Sequence, residues 1–129
     1  MSGAISFILV ALGGALGSVA RYGISSIWLA RAGDWRFPAG TFVVNVIGCL
    51  VIGVLGALAV KQHVFSPEVR LFLFTGLMGG FTTFSSFGLE TFCLLRRGEV
   101  FMAGGYIIAS VVVGLLAAWV GFSLVSGKV

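Results

Sequence analysis

The residues best suited to chemistry in this chain crowd into one short stretch, Gly76 to Phe87: Gly-Leu-Met-Gly-Gly-Phe-Thr-Thr-Phe-Ser-Ser-Phe. Thr82, Thr83, Ser85 and Ser86 surround Phe84 and Phe87, which are three apart and so share one face of a helix. An aromatic ring is electropositive at its edge. Ring edges beside hydroxyl donors can therefore line a route for a small anion, and that face offers little to a cation. The carbonyls of a helix break between Gly79 and Thr83 suit the opposite charge, because unwound backbone often holds Na⁺ in membrane proteins. With 12 phenylalanines in the chain, packing or lipid contact is the competing reading of the pair.

Other polar side chains are sparse enough to be followed one by one. Thr41 and Asn45 are four apart, on one helical face with Gly48 close by. Asn45 brings two N–H donors and a carbonyl, which serve either an ion or a neighbouring helix. Tyr106 and Ser110 repeat the spacing, as candidate donors or as ordinary satisfied core hydroxyls. Arg21 sits deep in an apolar run, where it either snorkels to headgroups or lines a vestibule that attracts anions. Glu90 is the only acid inside an apolar span, and nearby Arg96 and Arg97 draw it toward the interface. His63 reads as a solvated loop residue. There is no nucleophile beside a base, no acid pair, no phosphate loop and no metal-ligand spacing, so an enzyme is not expected.

What must position these groups is a membrane. A 129-residue chain that is 59% hydrophobic and 9% charged has too little polar surface to coat a water-soluble globule. Gaps between charges mark four spans, about 3–30, 39–60, 69–95 and 100–126. Together they predict a single all-α transmembrane domain over residues 1–129. Ala39 to Val60 alone holds 22 uncharged residues, which as a helix measures roughly 33 Å, enough to cross the hydrocarbon core. The third span is expected to break near its middle, where Gly79-Gly80 meets Thr82-Thr83. Gly13 with Gly17, and Gly76 with Gly80, have the small-xxx-small spacing that lets helices approach closely. Cys49 and Cys93 lie in different spans and read as buried free thiols. Ser18-Val19-Ala20 imitates a signal-cleavage site, but the apolar run before it is long and lacks a preceding positive charge, so cleavage is not expected.

Charge leaves the orientation open. Four spans put both termini on one side with the second loop, which sets Lys61, Arg70 and Lys128 against Arg31, Arg36, Arg96 and Arg97. That balance gives no positive-inside preference, and a chain without one can insert both ways and pair with an inverted copy. The net charge of +4 is spread through loops and span ends with no basic run, so nucleic acid is not an expected partner.

Three motifs in order then resemble one family: Gly-Gly-Ala-Leu-Gly-Ser-Val-Ala-Arg-Tyr at 13–22, Gly-Thr-Phe-Val-Val-Asn-Val-Ile-Gly at 40–48, and Gly-Gly-Phe-Thr-Thr-Phe-Ser-Ser-Phe at 79–87. The chain is similar over its whole length to the Fluc (CrcB-type) bacterial fluoride channels. The resemblance implies a dual-topology antiparallel homodimer in the bacterial inner membrane, with two pores that export fluoride passively. It implies that Phe84 and Phe87 meet fluoride with their ring edges and that Asn45 is the pore amide donor. Thr41, Tyr106 and Ser110 would line the route further along, Arg21 would contribute to an aqueous vestibule, and Glu90 would match a polar residue near one pore end. It also implies a structural Na⁺ at the dimer axis, held by the Gly79 and Thr82 carbonyls. Two rivals remain. One is a small four-helix proton-coupled multidrug or cation exporter using Glu90, which would need its acid at the midplane. The other is a membrane subunit without transport of its own.

Overall fold

The computed structural model describes residues 3–32, 36–61 and 64–127, and every regular element among them is helical. α1 is Gly3–Ala32 and α2 is Ala39–Lys61. The third span comes in pieces: α3 (Pro67–Arg70), a π-helical segment π1 (Leu71–Met78), α4 (Gly79–Phe81) and, beyond two extended residues, α5 (Phe84–Arg96). α6 (Val100–Ser126) closes the chain. Gly3–Arg31, Ala39–Val60, Pro67–Arg96 and Val100–Ser126 are each long and apolar enough to cross a bilayer. The protein is a multi-pass membrane protein. His63 and Lys128 lie outside the described residues.

The ends of the third span are set by local chemistry. Ser66 caps α3, its hydroxyl accepting from the Val69 N–H at 3.3 Å, with Pro67 in the first turn where no N–H is needed. α5 ends as Gly98 turns to φ 76°, and the Glu99 N–H returns to the Leu94 carbonyl at 3.0 Å. Arg36 reaches Glu99 at 3.7 Å, so the segment before α2 and the turn before α6 meet at the same end of the bundle.

Packing follows two seams, α1 along π1 and α4, and α2 along α6. Lipid is as apolar as the side chains, so close backbone approach has to supply the attraction. The first seam uses the glycines whose spacing predicts it. A Cβ on Gly76 would lie 3.0 Å from the Gly13 Cα, one on Gly80 would strike the Gly14 carbonyl oxygen, and one on Gly17 would strike Leu77 and crowd the Phe81 nitrogen at 2.6 Å. Gly53 and Gly121 do the same on the second seam, against the Ala118 and Leu50 carbonyls.

The break is real, but glycine does not make it. Gly79 is helical at φ −63°, ψ −36°, and Gly80 lies inside α4. The extended residues are Thr82 (φ −120°, ψ 111°) and Thr83 (φ −119°, ψ 103°). β-Branched residues suit extended backbone, while Gly80 is used for contact with α1. The cysteines also differ from expectation. Both are free thiols, but Cys49 is only half-buried and Cys93 is exposed on the single chain.

Gly17→Ala should lower the thermal unfolding midpoint of the purified protein, since overpacking a rigid contact costs about 1–3 kcal/mol. Gly23→Ala, where a Cβ meets nothing within 4 Å, should leave it unchanged or slightly raised. Equal midpoints in the two variants would mean that the α1 seam is not this tight.

Candidate functional site

Crossing the break costs the third span its backbone ladder, and α2 repairs part of it. In a continuous helix the Thr83 N–H would be donated to the Gly79 carbonyl. Here it is donated to Asn45 Oδ1 at 3.0 Å. The Thr83 hydroxyl accepts from the Ser86 N–H at 3.2 Å and so caps α5. Thr82 turns its hydroxyl back to the Met78 carbonyl at 2.9 Å. With its carbonyl oxygen committed to Thr83, Asn45 keeps both amide N–H donors free for something else.

Beside it is a pocket of about 280 Å³ that lies open on the single chain, the inner cavity of the two along this face, bounded by Asn45, Cys49, Thr82, Thr83, Phe84, Phe87, Ser110 and Val111. The Ser110 hydroxyl is buried and has no hydrogen-bond partner, an uncommon state for a buried polar group. The rings of Phe84 and Phe87 lie with centroids 5.6 Å apart at 37°, and Phe87 stands 5.1 Å from Tyr106. Spacing alone predicts each of these pairs within its own helix. What the fold adds is the meeting of α2, α5 and α6 around one space.

One turn closer to the Arg36–Glu99 end lies a second polar layer. Glu90 accepts from the Thr41 hydroxyl at 2.6 Å on one carboxylate oxygen and from the Tyr106 hydroxyl at 2.8 Å on the other. Glu90 and Thr41 also border a larger cavity of about 460 Å³, which reaches Arg36, Arg97, Trp28 and Phe37. The Phe37 ring meets Tyr106 edge-on, with centroids 5.3 Å apart at 83°. Asn45, Ser110, Phe84 and Phe87 thus form one layer, and Thr41, Tyr106 and Glu90 the next, with a rise of roughly 6 Å per four helical residues between them.

Arg21 stands apart from both layers. Its Nε donates to the Gly80 carbonyl at 3.1 Å, on the α1 side of the break. Gly79 and Thr82 flank the same break. Among the described residues no group of His, Cys, Asp or Glu side chains gathers to hold a metal, and the oxygens at the break are main-chain carbonyls and hydroxyls. The break fits that chemistry, because the Gly79 carbonyl has lost the Thr83 N–H it would otherwise accept and Thr82 is extended. Sequence reasoning missed the backbone of Thr83 and the ring of Phe37. Thr83 carried a signal, an N-cap residue three before Ser86. Phe37 carried none, because a loop aromatic before Pro38 has no periodicity to place it.

Comparison with known proteins is consistent along the chain. Residues 8–122 match the family described as CrcB-like protein, Camphor Resistance (CrcB). The chain belongs to the CrcB-like family. Its relatives include the fluoride-specific ion channel FluC of Methylobacillus flagellatus, 60% identical over 118 residues that cover 92% of each chain. The Chloroflexus aurantiacus protein of the same name is 47% identical over 92% of this chain and 94% of its own. That of Rhizobium etli is 46% identical over 97% of this chain and 99% of its own. All three motifs lie within the part of this CrcB-like chain matched by the family.

Asn45→Ala leaves the Thr83 N–H unpaired at the break. It should cost about 1–3 kcal/mol, read as a lower unfolding midpoint and faster hydrogen exchange at Thr83. An unchanged midpoint with Thr83 still protected would show that Asn45 does not hold the break.

Proposed function

We propose that this protein is a fluoride-selective ion channel that lets fluoride leave the cell passively and so protects it from fluoride toxicity. The observation that carries the reading is the inner cavity, where a buried unpartnered hydroxyl, a free amide and two phenylalanine rings face one space without a fixed positive charge. The names of the three relatives support the same ion. Fluoride is small and strongly hydrated, so a pore must replace water with several donors, yet none may trap the ion. Asn45, Ser110 and the positive ring edges of Phe84 and Phe87 provide such donors, and the Thr41 and Tyr106 hydroxyls continue the line. Glu90 takes a hydrogen bond from each of those hydroxyls and orients them in this reading. Nothing favours the exporter, whose acid would have to exchange protons at the midplane.

The working unit in this proposal is an antiparallel homodimer with two pores. Thr75, Gly79, Thr82 and Ser85 are exposed along the middle of the third span; the Thr82 hydroxyl is donated within the chain, but the Gly79 carbonyl has lost its helical donor, and lipid cannot satisfy it. Phe84 is 85% exposed, so on a single chain its ring lies open to lipid, and a pore beside it is closed only by a further chain. A second copy across the break supplies both, and the balanced loop charges permit the inverted orientation. The carbonyls of Gly79 and Thr82 from the two copies would hold a structural Na⁺ at the axis, supplying positive charge to two facing breaks. The bacterial inner membrane is the corresponding location.

Phe84→Ile and Phe87→Ile should each cut fluoride efflux from proteoliposomes roughly tenfold, the equivalent of about 1.4 kcal/mol in barrier, while the dimer persists on cross-linking. Wild-type rates in both variants would remove the rings from the pathway. For orientation, a single cysteine at Lys128 in a Cys49→Ala, Cys93→Ala background should label from both faces of the membrane. Labelling from one face alone would contradict the inverted pair.

A further inference from the structure

Two polar residues in the 13–22 motif are left over once its glycines are assigned to packing. Gly14, Gly17, Ser18 and Arg21 recur at helical spacing on the side of α1 turned toward α4. The glycines bring the two backbones into contact. One turn further on, Arg21 Nε donates to the Gly80 carbonyl at 3.1 Å, and Ser18 Oγ reaches the same oxygen at 3.5 Å. Among the described residues the ion pair found joins Arg36 to Glu99, so no carboxylate accompanies Arg21. A part-buried guanidinium in a membrane span needs a negative partner. The end of a helix is one, because its last carbonyls carry partial negative charge, and Gly80 lies in the last turn before the break.

We propose that Arg21 is the positioning residue of the break: its guanidinium occupies the Gly80 carbonyl and keeps that oxygen out of the cation site, leaving Gly79 and Thr82 to face Na⁺. The proposal rests on the sodium reading given above and adds to it a residue on α1. A guanidinium at the same helix end is a like charge to the metal. It therefore holds the broken span in place when Na⁺ is scarce and weakens Na⁺ binding when it is plentiful. Loss of Arg21 should have opposite effects on these two properties, which simple damage to packing would not produce.

The test is the thermal unfolding midpoint of the purified full-length protein, titrated with Na⁺ against N-methylglucamine. Wild type should rise with Na⁺. Arg21→Gln should start lower without Na⁺ and reach half of its rise at a Na⁺ concentration at least about fivefold lower. Arg21→Lys restores a cation and should bring the half-maximal concentration back toward wild type. A wild-type half-maximal concentration in Arg21→Gln would overturn the proposal and leave the sodium site standing. Absence of any Na⁺ response in wild type would remove the site and the proposal together. Should Arg21→Gln not fold, Ser18→Ala loses the other donor to Gly80 and should shift the half-maximal concentration in the same direction by a smaller factor. No shift there would also overturn it.

Discussion

One hydrogen bond, from the Thr83 N–H to Asn45 Oδ1, determines how this protein is built. A donor that a continuous helix would direct at Gly79 goes sideways to α2, and the third span parts into two helices in the middle of the membrane. Each half then presents an end. α5 presents an N-terminus to the inner cavity, and α4 presents carbonyls toward α1 and the exposed face. The same bond fixes which way the Asn45 amide points. A backbone repair and the setting of two amide donors beside the inner cavity are thus the work of one side chain, which is economical in a chain with so few polar residues.

That arrangement requires close packing elsewhere. A broken helix has lost part of its internal ladder and must be held from outside, and lipid provides no drive to do so. The Gly13, Gly14, Gly17, Gly76 and Gly80 contacts hold the first half against α1, and Arg21 ties down its end. The second half is held differently, by side chains. Glu90 draws Thr41 and Tyr106 together across α2, α5 and α6, and Tyr106 is fully buried among Phe37, Phe87 and Glu90. Backbone contact is rigid, whereas hydroxyl and ring contacts can exchange partners, and the proposed ion route runs through the second kind.

Much of this was legible in the residues alone. Uncharged runs set the four spans, small-xxx-small spacing marked the α1 seam, and the hydroxyl cluster marked the third span as the place of interest. The position of the break was harder to see. Glycine signals both flexibility and close approach, and only the fold shows that Gly80 is used for approach to α1 and Gly79 stays helical while the two threonines extend. Glu90 was also ambiguous, since its distance from Arg96 along the chain says nothing of the two hydroxyls that reach it from other helices. Arg21 shows the general limit. A charge in a span announces that it has a partner, but the Gly80 carbonyl lies 59 residues away and has no side-chain identity to betray it.

In the proposed reading this arrangement passes fluoride and excludes its larger neighbour chloride. The direct measurement is ion loss from liposomes carrying the purified protein, followed with fluoride and chloride electrodes on matched samples. Fluoride should be lost rapidly while chloride is retained. Retention of both ions by well-folded protein, or loss of both at similar rates, would contradict it.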